Sequence, residues 1–323
     1  MMSHTLPTRS ADAFDAANQA MDMVTAVSVD CPAKTNLTLQ VSERHAEWGG
    51  RHALDTIYCG LSLYDTVTVA RKAPGSGFSL DLGGDHLGDL ACSSSDMRCN
   101  HAVLALFALA GAAKVSPDVA ITLVKRIPVG AGLGGGSADA AGTLLALNQL
   151  WGLNWPVERL LPIAAELGAD MPFCLLGGYA HGTGFGERIE PLDDNAQEIA
   201  FLQSKGVTGL MLIGAYNDEL STPDVYRHFD EIGAGPDDLN DLQRAATDLH
   251  PRSRQAIDVA RAAGASTAFV SGSGPSVVAC AADEAARRRI VADWHRTASV
   301  DRIIAANAPA RPVSHGTVVG RTA

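Results

Sequence analysis

Pro128-Val-Gly-Ala-Gly-Leu-Gly-Gly-Gly-Ser-Ala-Asp-Ala-Ala141 stands between an apolar alternating stretch, DVAITLVKRI, and an Ala/Leu-rich helical pattern. Five of the seven residues from Gly130 to Gly136 are glycine. Glycine gives up more backbone freedom on folding than any other residue, so this density makes sense where amides and carbonyls must approach a ligand unobstructed. A helix starting at the end of the loop adds unpaired N–H groups and the positive end of its dipole, which together hold phosphate. Ser137 is the expected cap of that helix. A Walker A loop is excluded, because it requires Gly-Lys-Ser/Thr and no lysine stands here. Gly130-x-Gly132-x-x-Gly135 has dinucleotide-loop spacing, but no parallel strand ending in an acid follows about 20 residues on. Glu158, the nearest acid by count, sits in a helical pattern. A glycine-rich turn without a ligand is the alternative left open by the loop alone.

Upstream, VTAVSVDCPAKTNLTLQV and IYCGLSLYDTVTVAR alternate apolar and polar residues, the signature of strands with one buried face. A turn-rich stretch over 73–89 precedes a predicted helix over 100–113, and helices follow at 137–151 and 157–167. Gly168, Asp170 and Pro172 then lead into a short apolar strand and a glycine-rich candidate linker, GYAHGTGFGERIEPL. Beyond residue 186 the pattern predicts a strand at 209–216, helices at 223–231, 239–249 and 252–263, strands at 266–271 and 276–281, a helix at 283–298 and a final strand or two. Strands and helices mixed without strict alternation indicate an α+β fold. The expected division is a mobile extension over 1–25, a first domain over 26–185 and a second over 186–323. Met21 or Met23 is an alternative start for the chain.

The 323 residues are 46% hydrophobic and 19% charged, which is ordinary globular chemistry, and the net charge of −11 argues against a nucleic-acid partner. The longest apolar run, Ala102 to Ala113, is shorter than the ~18 residues a membrane span needs. The N-terminus lacks a basic start leading into an unbroken apolar stretch, so a cytoplasmic location is expected. Six cysteines are scattered without a C-x-x-C, which favours reduced thiols over disulfides. Cys92, Cys99 and His101 match no common zinc spacing, and no metal ligands are assigned.

Four segments occur in order: Pro32-Ala-Lys-Thr-Asn-Leu37, the glycine loop, Leu167-Gly-Ala-Asp-Met-Pro-Phe173 and Val270-Ser-Gly-Ser-Gly-Pro275. The loop resembles the Pro-x-x-x-Gly-Leu-Gly-Ser/Gly-Ser-Ser/Ala motif of the small-molecule kinases that include galactokinase, homoserine kinase, mevalonate kinase and phosphomevalonate kinase. With the other three segments, the chain is similar to the branch of that family acting on a cytidine-diphosphate-linked methylerythritol. The likeness runs from about Cys31 to Ala281, includes Asn240-Asp-Leu-Gln243 and leaves out the N-terminal stretch. It implies ATP with Mg²⁺, transfer of phosphate to the 2-hydroxyl of that substrate, and a place in the non-mevalonate route to isoprenoid precursors. It also implies an N-terminal ribosomal-protein-S5-like domain that binds ATP and carries the catalytic groups. A C-terminal ferredoxin-like domain would bind substrate, with the active site in the cleft between. Oligomeric state is left undetermined.

The resemblance implies roles residue by residue. Asp170 matches the catalytic aspartate and Lys34 the lysine beside it, with Asn36 one repeat along the same strand face. From residue chemistry alone, Asp170 is equally an ordinary helix cap and Lys34 a solvated strand-end lysine. ATP would be held by Pro128, Gly130, Gly132, Leu133, Gly134, Gly135, Gly136 and Ser137. Gly272 and Gly274 would close over the phosphates, and Asn100 and Lys125 would contact the nucleotide. A polar helix start and a solvated strand end are the plainer readings of those last two. Asp139 serves either the helix dipole or Mg²⁺. Where the family commonly carries Asp-Gly-Tyr-His, this chain has Gly49-Gly-Arg-His52. Arg51 would then stack its guanidinium on the cytosine, His52 read the base edge, and Tyr226 cover the base from the other domain. A sister kinase acting on homoserine, mevalonate or a sugar, and a non-catalytic nucleotide-binding regulator, are the competing readings.

Overall fold

The computed structural model describes residues 25–84, 99–207, 209–236 and 238–318. The expected N-terminal extension and Cys92 lie outside them. The alternating residues near the start form β1 (Ala26–His45) and β2 (Arg51–Arg71), a long antiparallel hairpin. Val27, Val29, Cys31 and Ala33 project inward from β1, as a two-residue period requires. The C-terminal half of β2 pairs with β4 (Val119–Lys125), which pairs in parallel with β3 (Ser79–Gly84). The N-terminal half pairs with β5 (Tyr179–Thr183), which turns back as β6 (Arg188–Leu192). The stretch expected to be a linker is therefore a hairpin, whose glycines serve its turn, with Gly184 and Gly186 at φ +73° and +106°.

Four helices accompany this sheet: α1 (His101–Ala113), α2 (Gly135–Leu150), α3 (Val157–Leu167) and α4 (Met171–Leu176). Helix α2 packs directly on β1 and β2, between α1 and α4. Its small residues permit that approach, since a Cβ on Gly142 would come within 2.7 Å of Val67. The short apolar run after Asp170, expected as a strand, is α4. Six apolar residues carry too little periodicity to separate the two, and Pro172 sits in the first turn, where no N–H is needed.

The second unit is an antiparallel sheet in the order β10-β7-β9-β8, made of β7 (Leu210–Ala215), β8 (Ala265–Val270), β9 (Val277–Ala281) and β10 (Arg302–Asn307). Helix α5 (Gln197–Ser204) precedes it. Helices α6 (Thr222–Ile232), α7 (Gln243–Leu249) and α8 (Pro251–Ala262) lie between β7 and β8, and α9 (Glu284–Thr297) between β9 and β10. This is the expected ferredoxin-like order, with the fully buried Trp294 donating from Nε1 to the Ala256 carbonyl at 2.9 Å to join α9 to α8. The chain then returns as β11 (Val313–Val318) to the free edge of β1. The break expected after residue 185 thus falls inside the β5–β6 hairpin, and the first sheet takes β6 and β11 from beyond it. Among the described residues no helix is long and apolar enough to cross a membrane.

The helix expected over 239–249 starts only at Gln243, because the residues before it are drawn to β1. Leu39 N donates to Leu239 O at 2.8 Å, Asp241 N to Leu39 O at 2.8 Å, and Val41 N to Asp241 Oδ2 at 2.8 Å. Asn240, fully buried there, donates from Nδ2 to the carbonyls of Val270 (2.9 Å) and Gly272 (2.7 Å) and accepts from Leu242 N at 3.0 Å. The 239–241 backbone thus follows β1 of the first sheet while the Asn240 carboxamide holds a turn of the second unit, and this short segment joins the two. Asn240→Ala orphans these groups and is expected to lower stability by about 1–3 kcal/mol, read as a lower urea midpoint at unchanged m-value; an unmoved midpoint would deny Asn240 this linking role.

Candidate active site

Between the two units lies a cavity of about 930 Å³, lined by β1, β2, the glycine loop, Asp170, α6 and the 272–273 turn. The loop is gripped from both sides. Lys34 N donates to Leu133 O at 2.9 Å, Ser271 Oγ to Gly132 O at 3.1 Å, and Ser276 N to Ala131 O at 3.3 Å. Gly132, at φ +76°, passes so close to the turn that a Cβ would lie 2.1 Å from the Ser271 carbonyl. The same geometry corrects three expectations. Helix α2 begins two residues early, capped by Gly134 at φ 70°, so Ser137 lies in its first turn instead of capping it. Leu133 is buried in the core, and Gly274 shapes the turn at φ +83°; neither lines the cavity. Pro128, Gly130, Gly132, Gly134, Gly135, Gly136, Ser137 and Gly272 do.

Asp170 stands at the cap position of α4, yet its side chain makes no capping bond. Its Oδ2 lies 3.1 Å from Lys34 Nζ. Lys34 is buried in the middle of β1 instead of solvated at a strand end, and donates to Asn36 Oδ1 at 3.0 Å. Asn36 in turn donates to Thr56 Oγ1 at 2.7 Å. The three residues singled out by motif are thus in one chain of contacts, and the carboxylate, with 30% of its side chain exposed, faces the cavity. Tyr58, which the motifs missed, donates to Asp170 Oδ1 at 3.0 Å. Its place was legible only from register, since Tyr58 pairs with Asn36 across the hairpin.

Lys125 is buried between Asp65 and Asp139 Oδ2 (2.6 Å), not solvated at a strand end, and it lines the cavity, as Asp139 does. Burial alone would lower its pKa, but Asp139 and Asp65 outweigh that and hold the ammonium above its usual value. Asp65 also accepts from the amides of Arg126 (2.5 Å) and Ile127 (2.8 Å), fastening the start of the loop to β2. Asp139 has a buried Oδ1 with no partner. Burial, opposed by Lys125 and reinforced by Asp65, pushes its carboxyl up to about 7. One ammonium serves two carboxylates, and Asp139 has fewer donors than Asp65. Asn100 caps α1, its side chain accepting from Ala102 N at 2.9 Å, which is the plainer of its two readings, though it also lines the cavity. Cys99 is exposed, and among the described residues no group of three His, Cys, Asp or Glu is placed to hold a metal ion.

At the outer end the Arg51 guanidinium lies 4.5 Å over the ring of Phe185, which the sequence reading missed. Trp48 meets Phe185 edge-on at 6.1 Å. His52 is buried, stacked on Tyr226 at 5.4 Å, and donates from Nδ1 to the Ser42 carbonyl at 2.6 Å. Its Nε2 lies 3.0 Å from Asp230 Oδ1, but without hydrogen-bond alignment, so it is close to a carboxylate and still unpartnered. Arg51, His52 and Tyr226 all line the cavity.

The chain is similar to known proteins over most of its length. Residues 99–178 match the GHMP kinases N terminal domain and residues 226–300 the GHMP kinases C terminal domain. A 4-diphosphocytidyl-2-C-methyl-D-erythritol kinase of Bifidobacterium adolescentis is 66% identical over 292 residues, covering 90% of this chain and 95% of that protein. The crystal structure of a 4-(cytidine 5'-diphospho)-2C-methyl-D-erythritol kinase superposes with a TM-score of 0.65 at 30% identity, over 88% of this chain and 99% of that one. Homoserine kinase from Cytophaga hutchinsonii shares the fold, with a TM-score of 0.68 at 18% identity over 96% and 100% of the two chains.

The buried cluster carries a pH signature. Because the Asp139 carboxyl titrates near 7 when folded and near 3.8 when unfolded, the folded chain holds the extra proton in between, and this group's contribution makes stability fall as pH rises through that window. Asp139→Asn is expected to flatten that decline in urea midpoints taken from about pH 4.5 to about pH 7.5. A slope equal to that of the parent protein would count against it.

Proposed function

Since the chain belongs to the 4-diphosphocytidyl-2-C-methyl-D-erythritol kinases, a branch of the GHMP kinases, we propose that its Lys34, Asp170 and glycine loop carry out the phosphoryl transfer of that branch. The enzyme uses ATP to phosphorylate the 2-hydroxyl of 4-diphosphocytidyl-2-C-methyl-D-erythritol, a step of the non-mevalonate route to isoprenoid precursors. One observation carries the assignment of the base. Asp170 occupies a helix cap position without spending its carboxylate there, and presents it to the cavity 3.1 Å from Lys34 Nζ. A carboxylate held beside an ammonium and open to the cavity can take the proton of an alcohol.

The acceptor oxygen then attacks the γ-phosphorus in line with the bond to the β-phosphate oxygen, which breaks and leaves ADP, while the alcohol proton passes to Asp170. The backbone of the loop and the front of α2 cradle the triphosphate, and the turn bearing Gly272 covers it. Lys125, enclosed by two carboxylates, acts from beneath the loop as part of its foundation. Mg²⁺ belongs to the same reading: the unpartnered Asp139 Oδ1 and the Ser137 hydroxyl, both on the cavity wall, suit a hard cation. Such an ion neutralises charge on the phosphates. Arg51, seated on Phe185, offers a flat cation for the cytosine, His52 Nε2 a group for its edge, and Tyr226 a ring on the far side. Substrate contacts are therefore shared between the units, with Arg51 and His52 on β2 and Tyr226 on α6.

Three experiments test this reading. Asp170→Asn is expected to reduce kcat by about 10²–10⁴-fold with ATP affinity within a few-fold of the parent, by coupled ADP release; parent-like turnover would remove Asp170 from the mechanism. The same assay with homoserine or mevalonate as acceptor should give no ADP, and turnover with either would move the chain to a sister activity. Arg51→Ala should raise KM for the cytidylyl substrate by about ten-fold or more and leave KM for ATP unchanged. Equal effects on both would defeat the stacking role.

A further inference from the structure

Asp170 is held by a residue that neither the motifs nor the comparisons assign. We infer that Tyr58 is a positioning residue of the phosphoryl-transfer centre, its hydroxyl fixing the Asp170 carboxylate through the oxygen that Lys34 leaves free and tying it to the 184–187 turn. The inference rests on the reading of Asp170 as the base.

Tyr58 is 1% exposed, and its ring stacks on Phe173 at 4.8 Å and 17°, so the ring is locked in place. Its hydroxyl reaches Asp170 Oδ1 at 3.0 Å, while Lys34 Nζ lies 3.1 Å from Oδ2. Each carboxylate oxygen has one fixed partner, which sets a torsion that the absent capping bond leaves free. The same hydroxyl lies 3.3 Å from the Gly186 carbonyl. A phenol has one hydrogen to give. While Asp170 is ionised the hydrogen goes to the carboxylate. Once Asp170 has taken the alcohol proton, the Tyr58 hydrogen can turn to Gly186 and the phenol oxygen can accept from the new carboxylic acid. No tyrosine O–H bond breaks in that exchange. Gly186 stands at φ +106°, and a Cβ there would lie 2.7 Å from the Tyr58 hydroxyl, so the turn has room for this contact only with glycine. Burial first, then the charge of Asp170 and its hydrogen bond, push the phenol far above its ordinary pKa, so it remains a donor. The titratable groups facing Asp170 are Lys34 from β1, Tyr58 from β2, Cys174 from α4 itself and Tyr226 from α6. Lys34 and Tyr58 are the two that touch its oxygens.

Tyr58→Phe keeps the ring stack and removes the donor. The expected result is a kcat lower by about ten-fold, an unchanged KM for ATP, and an acid limb of the kcat/KM profile moved by about one pH unit toward alkaline. The sign follows because a carboxylate without its donor takes up a proton more readily and is lost as a base at higher pH. A residue that only packs the core would leave that limb in place. Asp170→Asn is assayed in parallel: full turnover in that variant sinks the base assignment. If Asp170→Asn is inactive while Tyr58→Phe has the parent kcat and an unmoved limb, with or without a lower melting temperature, Tyr58 alone loses its role.

Discussion

The α-carbon of Gly132 and the carbonyl of Ser271 approach so closely that one methyl group would sit 2.1 Å from that oxygen. This contact brings a loop of the first unit and a turn of the second into register, and the walls of the cavity follow from it. Side-chain and backbone groups of Ser271, Ser276 and Lys34 then take up the carbonyls of Gly132, Ala131 and Leu133, which would otherwise be buried without partners. With those carbonyls committed and α2 starting at Gly135, the loop amides are left for a ligand. Asn240 repeats the principle from the other side of the turn, holding the Val270 and Gly272 carbonyls. The glycines are therefore demanded by the approach of a neighbouring backbone, and the proposed function adds the approach of a nucleotide as a second demand.

Two lysines near this loop show how the same residue type is put to opposite uses. Lys125 is enclosed with Asp65 and Asp139, and its charge is more than matched. Burying such a cluster is costly, and its return is rigidity at the root of the loop, through the Asp65 bonds to the Arg126 and Ile127 amides. Lys34 is also buried, but its carboxylate partner reaches the cavity and its remaining contact is the neutral Asn36. An ion pair whose carboxylate is partly exposed at a cavity can change its proton count during a reaction, whereas the Lys125 cluster, which borders the same cavity, is buried and held by one cation between two anions.

The outer end of the cavity departs from the family pattern in sequence and answers that departure in structure. A guanidinium replaces the usual aromatic ring, and a nearby turn supplies Phe185 beneath it, backed by Trp48. The turn that presents Phe185 also contains Gly186, whose carbonyl faces Tyr58. The stacked Arg51–Phe185 pair and the Asp170 carboxylate are thereby linked through Phe185 and Gly186, neighbours in the hairpin that sequence pattern alone suggested was a linker, and through Tyr58 of β2.

Local sequence was sufficient for the strands of the long hairpin, for most of the helices though not for α4 or α5, and for the glycine loop, because periodicity and backbone freedom are properties of neighbours in the chain. Ordered motifs carried Lys34, Asn36 and Asp170 as well. Register across β1 and β2 decided what could not be read in that way: that Tyr58 stands opposite Asn36, that Thr56 supports it, and that Lys34 lies mid-strand in a buried setting. Long-range packing decided that Lys125 is sealed between carboxylates 60 and 14 residues away. It likewise decided that β11 closes an edge opened by β1 and that Leu239 to Asp241 leave their helix to follow Leu39. A residue's type and spacing state which interactions it is able to make. Which of them it makes depends on partners distant in sequence, and only the folded chain brings those within bonding distance.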